Sequence, residues 1–420
     1  MPTFDYRGDV LHCEDASLEA LAAEFETPLY VYSRAGLLER YRAFDAAFEP
    51  LDRLIAYSVK ANGNLSVLRL LARQGAGADI VSGGELHRAR LAGIPAERIV
   101  FSGTGKTADE LDAALAAGIL AFNVESEGEL HLLAHRAAAA GRVAPVALRV
   151  NPDILSPTPH PYTRTGHRQT KFGVPAEDAR RLFRVAVEHP SLAPVGIDAH
   201  IGSEIAAPEP YQQALLFLLD LVDDLRRDGI ALAHVDLGGG YDACPDEDVA
   251  ATVEALAERV VPHLATSDLR LVLEPGRFIV AETGVLLTRV LYVKEMGEKT
   301  FVVVDAGMND FLRPSHYDAQ HEVQPVRRTD NAPASVDVVG PVCETGDFLA
   351  LGRELPLPQP GDLLVVRVTG AYGFSMASSY NSRPRPAEVL VQGADAQLVR
   401  RREDYDDLVR GEVELLARDG

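Results

Sequence analysis

The stretch RLIAYSVKANGNLSVLRLLARQGAGADIVS, residues 53–82, decides the fold. RLIAYSVKA reads as an apolar strand, NLSVLRLLARQG as a helix closed by Gly75, and GADIVS as a second strand. The same alternation continues downstream in RIVFSG, AFNVES, PVALRVN, PVGIDAHIG, AHVDLGGG and RLVLEPG, with helical stretches such as PYQQALLFLLDLVDDLRRDG between them. Gly93, Gly118, Gly141 and Gly229 stand where helix ends are expected. Eight strands in this pattern predict a (β/α)8 barrel of the TIM type over residues 36–280.

Beyond residue 280 the period changes to two. GVLLTRVLYVKEMGEKTFVVVDAG, ASVDVVGPVC, GDLLVVRVTG and AEVLVQGADAQLVRR read as strands, with hairpin turns at EMGEKT and QGADA. Residues 281–420 are therefore expected to form a β-sandwich or β-barrel domain. FDYRGDVLHCED and PLYVYS, within residues 1–35, read as strands with no helix between them and are expected to complete that domain. The connection over residues 152–174 is long enough to suggest function.

The formal charge of −21, spread along 420 residues, disfavours phosphate backbones and anionic membranes. Nucleic acid and membrane are thus excluded as expected partners. Cys13, Cys244 and Cys343 form neither a CxxC pair nor an even framework, which fits a reducing, cytoplasmic setting without a metal.

Barrel chemistry sits where strands end. The ends here present Lys60 and Asn62, Ser82, Asn123 and Glu125, Arg149 and Asn151, His200 and Ser203, then Gly238, Gly239 and Gly240, and finally Glu274 followed by Pro275, Gly276 and Arg277. Lys60 alone reads as a salt-bridged structural cation or as a Schiff-base amine, its pKa lowered by desolvation and cationic neighbours. The triplet Gly238, Gly239 and Gly240 lets backbone N–H groups approach an anion, aided by the positive end of a following helix, and Ser203 and Arg277 can add donors. A reactive lysine beside a phosphate cup points to pyridoxal phosphate. Glu274 would keep its pyridine nitrogen protonated, or else pair with Arg277. His200 would stack on the ring, or else be a satisfied core histidine.

YSVKAN, HIGS, DLGGGY, EPGRFIV, CETGD and GAYGFSMASSYNSRPRPAEVL resemble, in this order, the pyridoxal-phosphate-dependent decarboxylases with an alanine-racemase-type barrel. LRVNPD through TKFG, with DAGMNDFLRPSHYDA, narrows the resemblance to the diaminopimelate decarboxylase family, which makes L-lysine from meso-diaminopimelate. The resemblance implies that Lys60 carries the cofactor, His200 stacks on it and Glu274 meets its ring nitrogen. Ser203, the glycines and Arg277 would hold phosphate or substrate carboxylate. It further implies that Arg313, Tyr317, Glu344 and Tyr372 contact substrate or cofactor, and that Cys343 donates a proton across a homodimer interface. Glu204 departs from the glutamine common in that family, and GGGYDAC departs after the glycines. The alternatives are a decarboxylase of ornithine, arginine or carboxynorspermidine, an amino-acid racemase, or a non-catalytic pyridoxal-phosphate-binding protein. Glu274 speaks against the racemase, and the β-extension against the last.

Overall fold

A computed structural model of the chain describes residues 3–154, 160, 170–243 and 248–416. The chain divides into two compact units, one of Glu39–Ile279 and one of Met1–Leu38 with Val280–Gly420.

The first unit is a closed parallel barrel. Its strands are Arg53–Ser58, Gly77–Ile80, Ile99–Phe101, Ala121–Val124, Ala144–Asn151, Leu192–Asp198, His234–Asp236 and Arg270–Leu273, and each of the eight predicted runs supplies one. Neighbours pair in sequence order, and Leu271–Leu273 closes the ring on Arg53–Ile55. Leu54, Ala56, Val100, Ala121, Ala147 and Val272 form one buried cluster, each large apolar side chain contributing about 1.5–3 kcal/mol on burial.

Helices begin where a side chain can accept from an otherwise unpaired first-turn N–H. Ser82 accepts from the Glu85 amide, and Ser126 from that of Glu129. Thr107 and Glu110 form a reciprocal capping box. Gly93 and Gly118 end their helices in the left-handed conformation that a Cβ would oppose.

The second unit is built around a nine-stranded sheet. Gly284–Met296 and Lys299–Val304 form the hairpin expected at EMGEKT, and Ala387–Gln392 with Asp395–Arg400 the one at QGADA. Leu29–Ser33 lies inside this sheet, antiparallel to Gly284–Leu287 and parallel to Ala387–Val391. All five of its residues are buried, so PLYVYS is a central strand.

The other N-terminal reading needs correction. A helix, Leu18–Phe25, separates the two strand regions, and Phe4–Arg7, Val10–Cys13 and Ala16–Ser17 make a three-stranded sheet of their own. Leu18, Leu21 and Ala22 face the core at helical spacing, but eight residues give too little periodicity to stand out in an alanine-rich run. The small sheet still joins this unit: Phe4, Leu11 and Cys13 share one core with Val31, Val285 and Val389, and the Leu11 amide donates to the Val326 carbonyl at 2.8 Å.

Val174–Pro175 pairs with Val150–Asn151 at the end of the long connection. Residues 155–159 and 161–169 of that connection, and Cys244, lie outside the described residues. Among the described residues no helix is long and apolar enough to cross a membrane.

Candidate active site

The strand Arg53–Ser58 runs into a single 3-10 turn, Val59–Ala61, which lifts Lys60 off the end of the barrel wall. Its ammonium donates to Oδ2 of Asp79 at 2.8 Å, and its side chain keeps 29% exposure while that of Asp79 has none. A neighbour at hydrogen-bond distance is thus an anion, as the salt-bridged reading of Lys60 expects, whereas the Schiff-base reading looked for cationic neighbours. Ser58 Oγ donates to the same Asp79 oxygen at 2.8 Å and lies 3.0 Å from the Glu274 carbonyl, tying the first, second and eighth strands.

Glu274 is 2% exposed, and Ser102 Oγ lies 3.4 Å from its Oε1. Burial first, then repulsion from Asp236, Asp79 and Asp198, holds its carboxyl well above the usual range. Burial and the neighbouring Asp236 do the same to Asp198. Asp236 is pushed up to about 6, chiefly by burial. Arg277, the alternative partner expected for Glu274, pairs with a different acid: its Nη1 lies 3.3 Å from Glu204 Oε1.

Arg149 offsets part of this negative charge. It lies 3.1 Å from Glu125 and 3.9 Å from Asp198, with its guanidinium 4.9 Å from the centre of the Phe172 ring. Glu125 also accepts from the Gly103 and Gly173 amides. Lys106, another lysine near these strand ends, has a fully buried side chain and donates to Glu129 at 2.6 Å, a structural cation. His200 is held well below its ordinary pKa by burial and then by the Arg149 and Lys60 charges, so its imidazole is neutral. The Gly202 amide donates to its Nδ1 at 3.3 Å.

At the seventh strand the backbone turns through Gly238, with φ +66°, and Gly240, with φ +96°. A Cβ on Gly238 would stand 2.9 Å from the Ala199 carbonyl oxygen, so the turn admits only glycine there. Gly239, between them, is required for a different reason. Its backbone lies against the end of the eighth strand, where a Cβ would run into the Glu274 carbonyl oxygen. The Gly239 carbonyl accepts from the Tyr211 hydroxyl at 3.3 Å, so this glycine also ties the turn to the helix Glu209–Arg227. Sequence reasoning gave Gly239 only the task of approaching an anion; the structure adds that it packs the turn against the strand carrying Glu274. Ser203 Oγ lies 3.5 Å from Arg277 Nη2.

The helix expected after Gly238, Gly239 and Gly240 does not follow them directly, because the next described one starts at Val249. The Gly238 amide donates to Asp236 Oδ1 at 2.8 Å, so an anion held at this turn would have to draw on the remaining backbone amides and on Arg277. Pro275 and Gly276 carry the chain from Glu274 into the turn at Arg277, where a Cβ on Gly276 would meet the Ser58 side chain at 2.9 Å.

The site suits pyridoxal phosphate on its own geometry. Asp79 Oδ1, Asp198 Oδ1, Asp236 Oδ2 and Asn123 Oδ1 are buried without a hydrogen-bond partner among the described residues. Such a surplus of buried acceptors and carboxylates calls for a cationic donor, which a protonated pyridine is. The glycine turn with Ser203 and Arg277 offers donors to a phosphate.

Arg313, Tyr317, Cys343, Glu344 and Tyr372 belong to the second unit. Arg313 is 4% exposed and lies 5.5 Å from the Tyr317 ring centre. Cys343 and Glu344 are exposed, and the Cys343 amide donates to Asn381 Oδ1 at 2.7 Å. Asp347 binds their loop to that of Met308 by accepting from the Val342 and Met308 amides, both at 2.6 Å. Tyr372 adopts φ +55°.

Strand ends alone did not reveal Asp79, Asp198 or Asp236. The signal was there, since an aspartate inside GADI, GID or HVD would be costly to bury in a barrel strand without a purpose.

The pyridoxal-binding domain of the pyridoxal-dependent decarboxylases matches residues 34–281. A diaminopimelate decarboxylase of Pseudomonas fluorescens is 51% identical over 98% of this chain and 99% of its own. One from Aquifex aeolicus is 45% identical over 99% and 98%. Among solved structures, the Helicobacter pylori diaminopimelate decarboxylase complexed with L-lysine superposes with a TM-score of 0.89 at 41% identity, covering 94% of this chain and 99% of that one.

Proposed function

The chain belongs to the diaminopimelate decarboxylases, within the pyridoxal-dependent decarboxylase family, and from that footing we propose that it converts meso-2,6-diaminopimelate to L-lysine and carbon dioxide. The observation that carries this reading is similarity over nearly the whole length of both chains. The buried acids facing Lys60 supply an independent chemical reason. Pyridoxal phosphate, when bound, supplies an aldehyde for an amine to condense with and a protonated ring that accepts the electron pair left as carbon dioxide departs.

In this reading Lys60 holds the aldehyde and is aimed by Asp79. Glu274 keeps the ring nitrogen protonated, because its carboxylate lies among acids that favour a cation beside them. The neutral His200 ring suits flat stacking. The turn of Gly238, Gly239 and Gly240, with Ser203 and Arg277, binds phosphate or the substrate carboxylate. Arg313 and Glu344 together would read the distal ammonium and carboxylate that distinguish the substrate from simple diamine precursors, with Tyr317 and Tyr372 beside them. Cys343 would return a proton to the reacting carbon from a second copy of the chain. A cytoplasmic homodimer is the expected form. Purified enzyme given pyridoxal phosphate and meso-diaminopimelate should yield L-lysine. Turnover of ornithine without lysine formation would refute the assignment.

A further inference from the structure

Beside the anion cradle sits a carboxylate with no assigned task. Glu204 Oε1 lies 3.3 Å from Arg277 Nη1, and the two side chains are only 19% and 8% exposed. The same guanidinium reaches toward Ser203 through Nη2. Glu204 has φ +62°, in the left-handed region that residues with a Cβ seldom occupy. Such strain persists only where surrounding contacts impose it.

Those contacts are visible. The Ile205 amide donates to the Gly240 carbonyl at 3.0 Å, and the Asp242 amide donates to the Ile205 carbonyl at 3.3 Å. Residues 204–205 are therefore stitched onto the glycine turn, and Glu204 is directed at Arg277 by backbone as well as by charge. An anion approaching this guanidinium meets a positive charge already neutralised and a like charge beside it.

We propose that Glu204 is an internal competitor that weakens the hold of Arg277 on its anion, and so sets how readily that anion is released. The inference rests on Arg277 being an anion-binding residue. Two anions share the required chemistry, the cofactor phosphate and the substrate carboxylate.

The test compares wild-type holoenzyme with Glu204→Gln, which keeps the shape and removes the charge. Cofactor loss on dialysis is followed by absorbance, alongside the substrate KM and the inhibition constant of L-lysine. If the anion is phosphate, the variant retains cofactor severalfold more tightly at unchanged KM. If it is the substrate carboxylate, KM falls severalfold at unchanged cofactor retention, and the lysine inhibition constant falls with it only where that carboxylate is the one the product keeps. Either result supports the proposal, provided that Glu204→Asp, which keeps the charge, stays near wild type. Weaker binding in Glu204→Gln, no change in any quantity, or identical behaviour of the Asp and Gln variants overturns it. Arg277→Ala separates the two levels. If it alters neither cofactor retention nor KM, the anion reading itself is wrong. If it weakens one while Glu204→Gln changes nothing, only the competitor role is wrong.

Discussion

Lys60 Nζ and Asp79 Oδ2 are 2.8 Å apart, joining a lysine at the barrel rim to a carboxylate with no solvent exposure. The carboxylate is shared with Ser58, so the ammonium is aimed by a fixed acceptor. Borohydride reduction of the holoenzyme should therefore place the pyridoxyl group on Lys60, as peptide mapping would show. An adduct on Lys106 or Lys171 would contradict the assignment, and Lys106 is already committed to Glu129. Asp79→Ala should leave the adduct on Lys60 while kcat/KM falls by about tenfold or more, equivalent to roughly 1.4 kcal/mol of lost positioning. Unchanged kcat/KM would remove Asp79 from the mechanism.

Glu274 gives a prediction in which stability and activity move apart. Burial, then the charges of Asp236, Asp79 and Asp198, oppose its ionisation, and the Lys60 charge favours it. Glu274→Ala removes one acid from that group, so the cofactor-free protein should melt no lower than wild type. Turnover should nevertheless drop by about a hundredfold or more, roughly 2.7 kcal/mol of transition-state stabilisation, with cofactor still bound. Near-normal turnover would show that the ring nitrogen is served by another group.

The barrel was legible in the sequence because parallel strands buried on both faces read as short apolar runs and the intervening helices end on glycine. Lys60, Glu274 and Arg277 were visible for a related reason, being charges set at the ends of such runs. The glycine triplet was visible too, but the separate demands on Gly238, Gly239 and Gly240 were not, since the carbonyls that crowd them come from neighbouring strand ends. Two further things were hidden. Leu18–Phe25 is too short to show a period, and the pairing of Arg277 with Glu204 depends on a left-handed turn pinned by Gly240. No local pattern encodes a partner so distant in the chain whose direction is set by backbone contacts between two strand ends.

His234 is buried at the seventh strand, with Nε2 unpartnered among the described residues. Burial, followed by the charge of Arg270, pushes its pKa down to about 4 from 6.5. The folded state thus binds this proton less readily than the unfolded state. The stability contributed is fully present above pH 6.5 and is lost as pH falls toward 4. Relative to wild type, His234→Phe should flatten this acid limb, retaining about 2 kcal/mol more of its own neutral-pH stability at about pH 5. Urea unfolding at neutral pH and in that acid range measures it. Parallel losses in both proteins would mean that other groups govern the acid limb.

The proposed proton donor, Cys343, is exposed on the second unit of an isolated chain, whereas Lys60 belongs to the first. If a second copy of the chain supplies Cys343, Lys60→Ala and Cys343→Ala homodimers should each be nearly inactive, since each carries its lesion in both sites. Mixing the two under subunit exchange distributes the lesions differently. In a mixed dimer one site receives both defects and the other receives neither. Random exchange makes half the dimers mixed, and each mixed dimer has one intact site of two, so activity should approach about a quarter of wild type. The recovery should follow the kinetics of exchange and disappear if the subunits are crosslinked before mixing. A mixture that stays as inactive as its parents despite demonstrated exchange would mean that Cys343 serves the barrel of its own chain or takes no part in the reaction.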